Sequence, residues 1–281
     1  MTNAIEVRNL CKRYGDFALK DVSFTLPAGC IMGLIGENGA GKSTTIRLLL
    51  GLAKRDGGEV RVLGADPETA EPEVRGEIGI VMDDCPFPET MTCCDVRKVL
   101  AAAYKDFDGG RFDAMCEKFA LPPKQKVKDY SRGMRMKLSV AAALCHDARL
   151  LILDEPTSGL DPVARDELLD VLLDFIQDER RSVLISSHIL SDLEKACDYI
   201  TFIHAGRVVF SEEKDELLGK YVIAKGSRRE IDLLDRSAVV GVCQGQFGCE
   251  ALVKRGAAGA LTQERANIED IMLYFIRRDG E

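Results

Sequence analysis

The residues whose types and spacing best suit chemistry lie at positions 36–44, in the run GENGAGKST. Its three glycines allow positive φ values, so that backbone N–H groups can turn inward around a phosphate at the positive end of a following helix. Lys42 supplies a mobile positive charge for the β- and γ-phosphates, and the Ser43 hydroxyl is placed to bind Mg²⁺. This spacing predicts a nucleoside triphosphate site formed by Gly36, Glu37, Asn38, Gly39, Ala40, Gly41, Lys42, Ser43 and Thr44.

A second chemical group is a pair of carboxylates at the end of an apolar run. Residues 150–153 are apolar and are followed by Asp154 and Glu155, the pattern of a buried parallel strand whose carboxyl end faces a ligand. Asp154 is the natural Mg²⁺ partner. Glu155 points the other way and can polarise the water that attacks a γ-phosphate. The alternative interpretation is that the two acids only cap the turn at Pro156.

These side chains need a scaffold that alternates strands and helices. The apolar run 31–35 indicates a buried strand before the glycine loop, and the helix-prone residues 45–50 follow the loop. Residues 1 to about 90 alternate short strands with this helix, and residues about 91–146 are rich in helix signals. Residues 147 to about 211 return to alternation, so the sequence predicts an α/β fold with a helical insertion.

The region after residue 211 gives weaker signals. We expect a small accessory subdomain rather than a separate catalytic unit. The elements that its pattern predicts are a short helix at 215–219, strands at 221–224 and 238–242, a terminal helix with Ile268, Ile271, Met272, Phe275 and Ile276 on its apolar face, and glycine-rich loops around 241–248 and 256–259.

Composition limits the classes of function. The chain has 281 residues, 46% of them hydrophobic, and 46 acidic against 38 basic residues give a net charge of −8. This charge argues against a nucleic-acid partner. No apolar stretch approaches the roughly 20 residues that span a bilayer, and the amino terminus lacks a signal-peptide pattern. With 10 cysteines and no CxxC pair, we expect a soluble, cytoplasmic protein with mostly buried, reduced thiols.

A third motif, YSRGM at residues 130–134, is followed by helix-prone residues. Ser131 offers a hydroxyl and Gly133 allows close backbone approach, both at a helix amino terminus where anions are favoured. Lying between the phosphate loop and the acidic strand, this segment resembles the signature of the ATP-binding cassette (ABC) ATPases, whose usual form is LSGGQ. The resemblance implies that Ser131 and Gly133 contact the γ-phosphate of an ATP held by a second chain. Alternatively, Ser131 is simply a helix N-cap.

The resemblance assigns roles to three more residues. It implies that Tyr14 stacks on adenine, although a lone tyrosine near a turn is more often a packing residue. It implies that Asp161, at the end of the SGLD segment, lies in the D-loop along a dimer interface; before Pro162, Asp161 is also a good N-cap. It implies that His188 contacts the γ-phosphate and keeps the general base in register with the attacking water. The segment SDLE at 191–194 predicts a capping box that opens the next helix.

Two departures from the family pattern stand out. Asp83 occupies the position of a glutamine that links Mg²⁺ and the attacking water to the membrane partner. A carboxylate there can bind metal directly or through water, but it adds negative charge beside the acidic pair. Arg132 and Met134 are the departures inside the signature. The resemblance then implies metal ligands Ser43, Asp154 and Asp83, and catalytic residues Glu155, His188 and Lys42.

The resemblance also implies a fold. We expect a P-loop NTPase (RecA-like) core with a mixed sheet, an antiparallel β subdomain, an inserted α-helical subdomain at about 91–146 and a small C-terminal accessory region. The ABC ATPase domain is expected at residues 1–211 and the accessory region at residues 212–281.

The function that this resemblance implies is the ATP-binding and ATP-hydrolysing subunit of a bacterial ABC transporter. Its cofactors would be ATP and Mg²⁺. Its partners would be a second cassette, as a homodimer or with a close paralogue, and a separate transmembrane permease at the inner face of the cell membrane. With its YSRGM signature and Asp83, the chain resembles the cassettes of exporters of drug, antibiotic or peptide type. The alternatives are a soluble ABC ATPase, for example in iron–sulfur assembly, and an ATP-gated adaptor with little hydrolysis.

Overall fold

The strands of the chain follow the apolar runs of its sequence. They are described in a computed structural model that covers residues 3–245 and 248–279. Their bounds are β1 (Asn3–Tyr14), β2 (Phe17–Pro27), β3 (Ile31–Ile35), β4 (Gly57–Val62), β5 (Ile78–Val81), β6 (Leu150–Asp154), β7 (Ser182–Ser186), β8 (Tyr199–His204), β9 (Arg207–Glu213), β10 (Tyr221–Gly226), β11 (Val239–Gly245), β12 (Gly248–Lys254) and β13 (Thr262–Arg265).

The helices are short, and several begin at a residue whose side chain accepts a hydrogen bond from the first turn. Such caps satisfy backbone N–H groups that have no partner within the helix. The bounds are α1 (Lys42–Leu49), α2 (Pro72–Gly76), α3 (Cys93–Ala103), α4 (Gly109–Lys118), a 3₁₀ turn (Val127–Asp129), α5 (Arg132–Leu144), α6 (Pro162–Phe175), α7 (Leu190–Ala196), α8 (Lys214–Lys220), α9 (Arg228–Asp232) and α10 (Ile268–Asp279).

The central sheet has the strand order β5-β6-β7-β3-β8-β9. Strand β3 pairs in parallel with both β7 and β8, and β6 pairs in parallel with β5 and β7. Every residue of β3, β6 and β7 is buried, as expected for strands covered on both faces. Because parallel strands end at the same edge of a sheet, the loops that follow β3, β6 and β7 meet there.

A second sheet lies in the first part of the chain. It is antiparallel, with the order β2-β1-β4. Its inward residues, among them Ile5, Leu10 and Leu26, join the same hydrophobic core as Leu34 of β3 and Ile46 of α1. This packing holds β3 and α1, which flank the glycine loop, against the antiparallel sheet.

The segment between β5 and β6 is helical, as the sequence predicts. Thr92 and Asp95 form a capping box at the start of α3, in which each side chain accepts a hydrogen bond from the backbone N–H of the other residue. The Sγ atoms of Cys93 on α3 and Cys116 on α4 lie 3.2 Å apart, and both residues are buried. Helix α5 continues the insertion and packs on β5, with Leu138 fully buried.

Backbone contacts divide the chain into two compact units, Met1–Val208 and Val209–Glu281. The division falls within β9. The domain boundary predicted after residue 211 stays a prediction.

The second unit is a four-stranded antiparallel sheet with the order β11-β12-β10-β13. The predicted short helix, the two predicted strands and the terminal helix are confirmed as α8, β10, β11 and α10. The predicted loop around 241–248 is wrong, because residues 241–245 belong to β11 and pair with β12; residues 246 and 247 lie outside the described part. Gly241 faces Tyr274 so closely that a Cβ would lie 3.1 Å from its carbonyl oxygen, so glycine here serves close packing. The loop at 256–259 is confirmed.

Within residues 3–245 and 248–279, no helix has both the length and the apolar character needed to cross a bilayer.

Candidate functional site

The glycine loop connects the end of β3 to the start of α1. Gly41 is the N-cap of α1 with φ of 119°, and Gly39 has φ of 83°, which confirms the predicted positive φ values at these two positions. At Gly36 the requirement is space, because a Cβ there would lie 2.3 Å from the carbonyl oxygen of Ile203. The loop therefore lies at the positive end of α1, and Gly39 and Gly41 line a cavity there.

Lys42, the first residue of α1, is 6% exposed. Its Nζ donates a hydrogen bond of 2.8 Å to the carbonyl oxygen of Gly36 and lies 3.3 Å from Oε1 of Glu155. A buried ammonium group needs such partners because desolvation disfavours its charge. The two contacts hold the cation at the mouth of the glycine loop, beside the proposed general base.

Asp154 is the last residue of β6 and is 3% exposed. The Ser186 hydroxyl, at the end of the neighbouring β7, donates a hydrogen bond of 2.6 Å to Oδ1 of Asp154. The same Ser186 oxygen accepts a bond of 2.9 Å from the backbone N–H of Glu155. Ser186 therefore orients the carboxylate of Asp154 and holds the backbone of Glu155, and sequence reasoning missed this role. The available signal was its position one residue beyond the apolar run of β7.

Glu155 lies just beyond the strand in the left-handed region, with φ of 52°. This conformation is uncommon for a residue with a Cβ and costs roughly 1 to 2 kcal/mol. Its carboxylate is held from two sides, since Oε1 faces Lys42 and Oε2 lies 2.6 Å from Nδ1 of His188. The carboxylate is thus fixed in place within the site.

His188 follows β7 and its side chain is about half exposed, at 51%. Besides the ring contact, its backbone N–H donates to Oε2 of Glu155 over 3.3 Å. The structure therefore brings Lys42, Glu155 and His188 together, as the family resemblance implies. The predicted capping box at 191–194 is wrong, because α7 begins at Leu190 with Ile189 as its N-cap. The Ser187 hydroxyl instead accepts the N–H of Ile189.

These groups line one cavity of about 630 Å³. A cavity of this size can hold a nucleotide-sized ligand. Its lining joins residues of the glycine loop and of α1 to residues from five other segments: the start of β2, the segment after β5, the start of α5, the end of β6 with the segment after it, and the segment after β7. The lining residues outside the glycine loop and α1 are Phe17, Asp83, Arg132, Asp154, Glu155, Ser158 and His188.

The aromatic residue that lines the cavity is not the one that was predicted to contact adenine. Tyr14 ends β1 with 49% exposure and has Nζ of Lys12 5.1 Å from its ring centroid, and it is outside the residues that line the cavity. Phe17 lines the cavity, and its Cζ lies 3.1 Å from where a Cβ of Gly41 would stand. Phe17 is therefore a second aromatic candidate for the base, which sequence reasoning missed.

Two further predicted residues lie outside this cavity. Ser131 is the N-cap of α5, where its Oγ accepts a hydrogen bond of 3.1 Å from the N–H of Met134. Gly133, one residue before Met134, approaches the segment after Glu155, because a Cβ there would lie 3.2 Å from Cδ2 of Leu160. We call residues 130–134 the signature loop. Through Gly133 this loop packs closely on the segment that contains Leu160.

Asp161, which also lies outside the cavity lining, is the N-cap of α6, as predicted. Its Oδ1 accepts hydrogen bonds from the N–H groups of Val163 and Ala164. The bond from Ala164 is the main cause of a lowered pKa for this carboxyl group. The N-cap role is thus confirmed, and the interface role stays a prediction.

Asp83 and Arg132, the departures noted in the sequence, contact one another. Nη2 of Arg132 lies 2.6 Å from Oδ1 of Asp83 and 3.4 Å from Oγ of Ser158. Both partners of the ion pair are more than half exposed. Asp83 therefore lies at the cavity with a cation beside it, which sequence reasoning did not foresee.

The oxygen donors around the cavity suit Mg²⁺. Ser43 offers a hydroxyl group, and Asp154 and Asp83 offer carboxylates. In the described ranges no three His, Cys, Asp or Glu side chains converge into a complete protein cage. Mg²⁺ in nucleotide sites usually takes one or two carboxylates and completes its shell with waters and phosphates. The residues present therefore fit this ion.

Comparison with known proteins decides the family. A sequence profile described as "ABC transporter" matches residues 19–158. The chain is 35% identical to the lantibiotic transport ATP-binding protein SrtF of Streptococcus pyogenes over 214 residues, which are 75% of this chain and 91% of that protein. The chain belongs to the ABC transporter ATP-binding proteins. It is also 33% identical over 258 residues to a fluoroquinolones export ATP-binding protein of Mycobacterium tuberculosis, covering 89% of this chain and 83% of that one.

Solved structures agree on the fold. A structure described as the ATP-binding subunit of an ABC transporter matches with a TM-score of 0.69 and 28% identity, over 82% of this chain and 94% of that one. A dimeric cassette in a post-hydrolysis state, bound to ADP and phosphate, matches with a TM-score of 0.66 and 21% identity, over 74% of this chain and 98% of that one. The predicted P-loop NTPase fold of an ABC cassette is therefore confirmed.

Proposed function

We propose that this ABC cassette hydrolyses Mg²⁺-ATP and drives a separate membrane-spanning permease of exporter type. The observation that carries the proposal is the clustering of Lys42, Glu155 and His188 around one cavity beside the glycine loop. A cation for phosphate, a carboxylate base and an imidazole that touches this base are the groups that phosphoryl transfer to water requires.

Each side chain has a distinct task in this proposal. Glu155 accepts the proton of the attacking water, and the contacts to Lys42 and His188 hold its carboxylate toward the cavity. Lys42 and the backbone N–H groups of the glycine loop balance the charge that develops on the transferred phosphoryl group. His188, half exposed at the cavity mouth, keeps base and water aligned.

Ser43, Asp154 and Asp83 are the residues that would hold Mg²⁺. The ion would add positive charge at the β- and γ-phosphates. Ser186 supports this arrangement because its hydroxyl fixes one oxygen of Asp154.

Two copies of the cassette would close around two ATP molecules. Ser131 and Gly133 lie at the amino terminus of α5 but outside the cavity of their own chain. Such a helix terminus favours an anion, so we infer that this loop serves the ATP held by a second chain, and a two-fold axis then completes both sites. The dimeric cassette among the solved structures supports this arrangement.

The family and the named relatives support the proposed permease partner. Their names describe transport of a lantibiotic and export of fluoroquinolones. We infer that this cassette likewise binds a permease on another polypeptide and acts at the inner face of the cell membrane. Closure and reopening of the dimer would then move that permease.

The hydrolytic role is tested with Glu155→Gln and Lys42→Ala beside the parental chain. Because Gln cannot accept the proton, Glu155→Gln should keep ATP binding, lose turnover by about 100-fold or more and elute as a dimer from a sizing column in Mg²⁺-ATP. Lys42→Ala should lose ATP binding.

Parental turnover by Glu155→Gln would show that another group is the base. A parental chain that binds ATP and dimerises without any turnover would favour the adaptor interpretation over the ATPase.

A further inference from the structure

The guanidinium group of Arg132 connects three loops at the mouth of the nucleotide cavity. It pairs with Asp83 on the segment after β5 and lies within hydrogen-bond distance of Ser158 on the segment after β6. The aliphatic part of Arg132 also packs against Gly159, since a Cβ at position 159 would lie 3.2 Å from Cδ of Arg132. We call Arg132, Asp83 and Ser158 the clasp.

Arg132 reaches into its own chain's cavity, unlike its neighbours Ser131 and Gly133. Arg132, Asp83 and Ser158 all line the cavity that Asp154 and Glu155 line. The signature loop is thus tied within one chain to the side of the site where oxygen ligands for Mg²⁺ gather. A glycine at position 132, as in the usual form of the signature, could not make this contact.

The charges around the clasp explain why a cation lies there. Asp83 adds a carboxylate to a cavity that already holds Asp154 and Glu155, and like charges at close range disfavour one another. Lys42 is engaged with Glu155, and Arg132 is the cation that contacts Asp83. A divalent cation entering the cavity would compete with Arg132 for that carboxylate.

We propose that Arg132 is a positioning residue that holds Asp83 beside the nucleotide cavity and competes with Mg²⁺ for its carboxylate. The proposal rests on the proposed function only in requiring that the chain bind Mg²⁺ with a nucleotide. When the metal takes Asp83, Arg132 and the signature loop are released; when the metal leaves, the clasp re-forms. If the signature loop also serves a second chain's ATP, as proposed above, metal occupancy in one cavity would be coupled to that second site.

The test is a Mg²⁺ titration of equilibrium binding of a non-hydrolysable ATP analogue to the full chain, so that turnover plays no part. Arg132→Gln should lower the Mg²⁺ concentration for half-saturation by about threefold, the size expected for loss of one exposed ion pair. Asp83→Asn should raise it. In the double variant, Arg132→Gln should add nothing to Asp83→Asn, because Arg132 acts through Asp83.

Three controls separate this effect from a general change of charge or fold. Lys137→Gln removes one positive charge from the same helix and should leave the Mg²⁺ dependence unchanged, since Lys137 pairs with Glu167 instead. Arg132→Lys should behave like the parental chain. The reversed pair Asp83→Arg with Arg132→Asp should bind Mg²⁺ more weakly than the parental chain.

The outcomes are distinct. An equal effect of Arg132→Gln with and without Asp83, or no effect at all, would overturn the clasp while leaving the ATPase proposal intact. Absence of analogue binding by the parental chain at any Mg²⁺ concentration would instead overturn the proposed function. A threefold shift that vanishes in the Asp83→Asn background supports the clasp.

Discussion

Glu155 adopts a backbone conformation that residues with a Cβ rarely take, and the surrounding contacts offset its cost. Its N–H is bound by Ser186 and its carboxylate is held by Lys42 and His188. The strained position turns the side chain away from the line of β6, toward the cavity where water would be activated. Strain that several contacts hold in place is typical of a functional residue.

Ser186 offers a direct test of this arrangement. Ser186→Ala removes the hydroxyl that joins Asp154 to the backbone of Glu155, so turnover of Mg²⁺-ATP should fall by about tenfold or more, as for other groups that orient metal ligands. Ser182→Ala is the matched control, because Ser182 is equally buried at the other end of β7 and its Oγ accepts only the N–H of Gly29 among the hydrogen bonds described. Equal losses in steady-state ATP hydrolysis for both variants would show that Ser186 has only a packing role.

The residue that stacks on adenine can be identified by single substitutions. Phe17 lines the cavity and Tyr14 does not. If Phe17 stacks on the base, Phe17→Ala should weaken ATP binding by about tenfold, the worth of one aromatic contact, and should leave tripolyphosphate binding unchanged. Tyr14→Leu run beside it should have the smaller effect in calorimetric titrations. A larger effect of Tyr14→Leu would show that adenine stacks on Tyr14, as the family resemblance implies.

At the scale of elements, strand ends and a helix start place the chemistry. Strands β3, β6 and β7 deliver the glycine loop, the acidic pair and His188 to one edge of the sheet. The start of α5 presents Ser131 separately. The site therefore combines residues from several strands and helices, a set that no single helix or strand could supply.

The proposed role of Ser131 at a second chain's ATP can be tested separately from its role as the N-cap of α5. Both Asp and Asn are good N-caps, so Ser131→Asp and Ser131→Asn should both keep the melting temperature. If Ser131 faces the γ-phosphate of an ATP bound to a second chain, the negative charge of Ser131→Asp should lower hydrolysis much further than Ser131→Asn does. Equal hydrolysis by the two variants would mean that no phosphate approaches Ser131.

The sequence was sufficient for the parts of the site that depend on local spacing. The glycine loop, the acidic pair and His188 each follow an apolar strand that the pattern indicates directly, and Asp161 before Pro162 carries its own capping signal. The contact between Lys42 and Glu155 depends in addition on the strand order, in which β7 lies between β3 and β6, and the sequence did not predict that order.

The parts that sequence reasoning missed depend on contacts between distant residues. Arg132 meets Asp83 across 49 residues, and Ser186 meets Asp154 across 32, distances over which no periodic pattern carries information. The start of α7 was misplaced because Ser187 binds the N–H of Ile189, ahead of the predicted capping box. The strand β11 was missed in part because glycine, usually a turn signal, here allows close packing on Tyr274.

At the scale of the whole molecule, the proposed function requires that one chain alone hold an incomplete site. The cavity gathers the groups for binding phosphate and activating water, whereas Ser131 and Gly133 lie outside it. If a second chain supplies these groups, catalysis must depend on the meeting of two cassettes. Chain concentration then becomes the variable that governs turnover.

The dependence of catalysis on two chains is tested by the steady-state rate of Mg²⁺-ATP hydrolysis per chain, measured across protein concentration. If two chains complete each site, this specific rate rises with concentration and reaches a plateau once the chains are paired. A specific rate that is constant and substantial down to the most dilute samples would contradict it, because a single chain would then complete the site by itself.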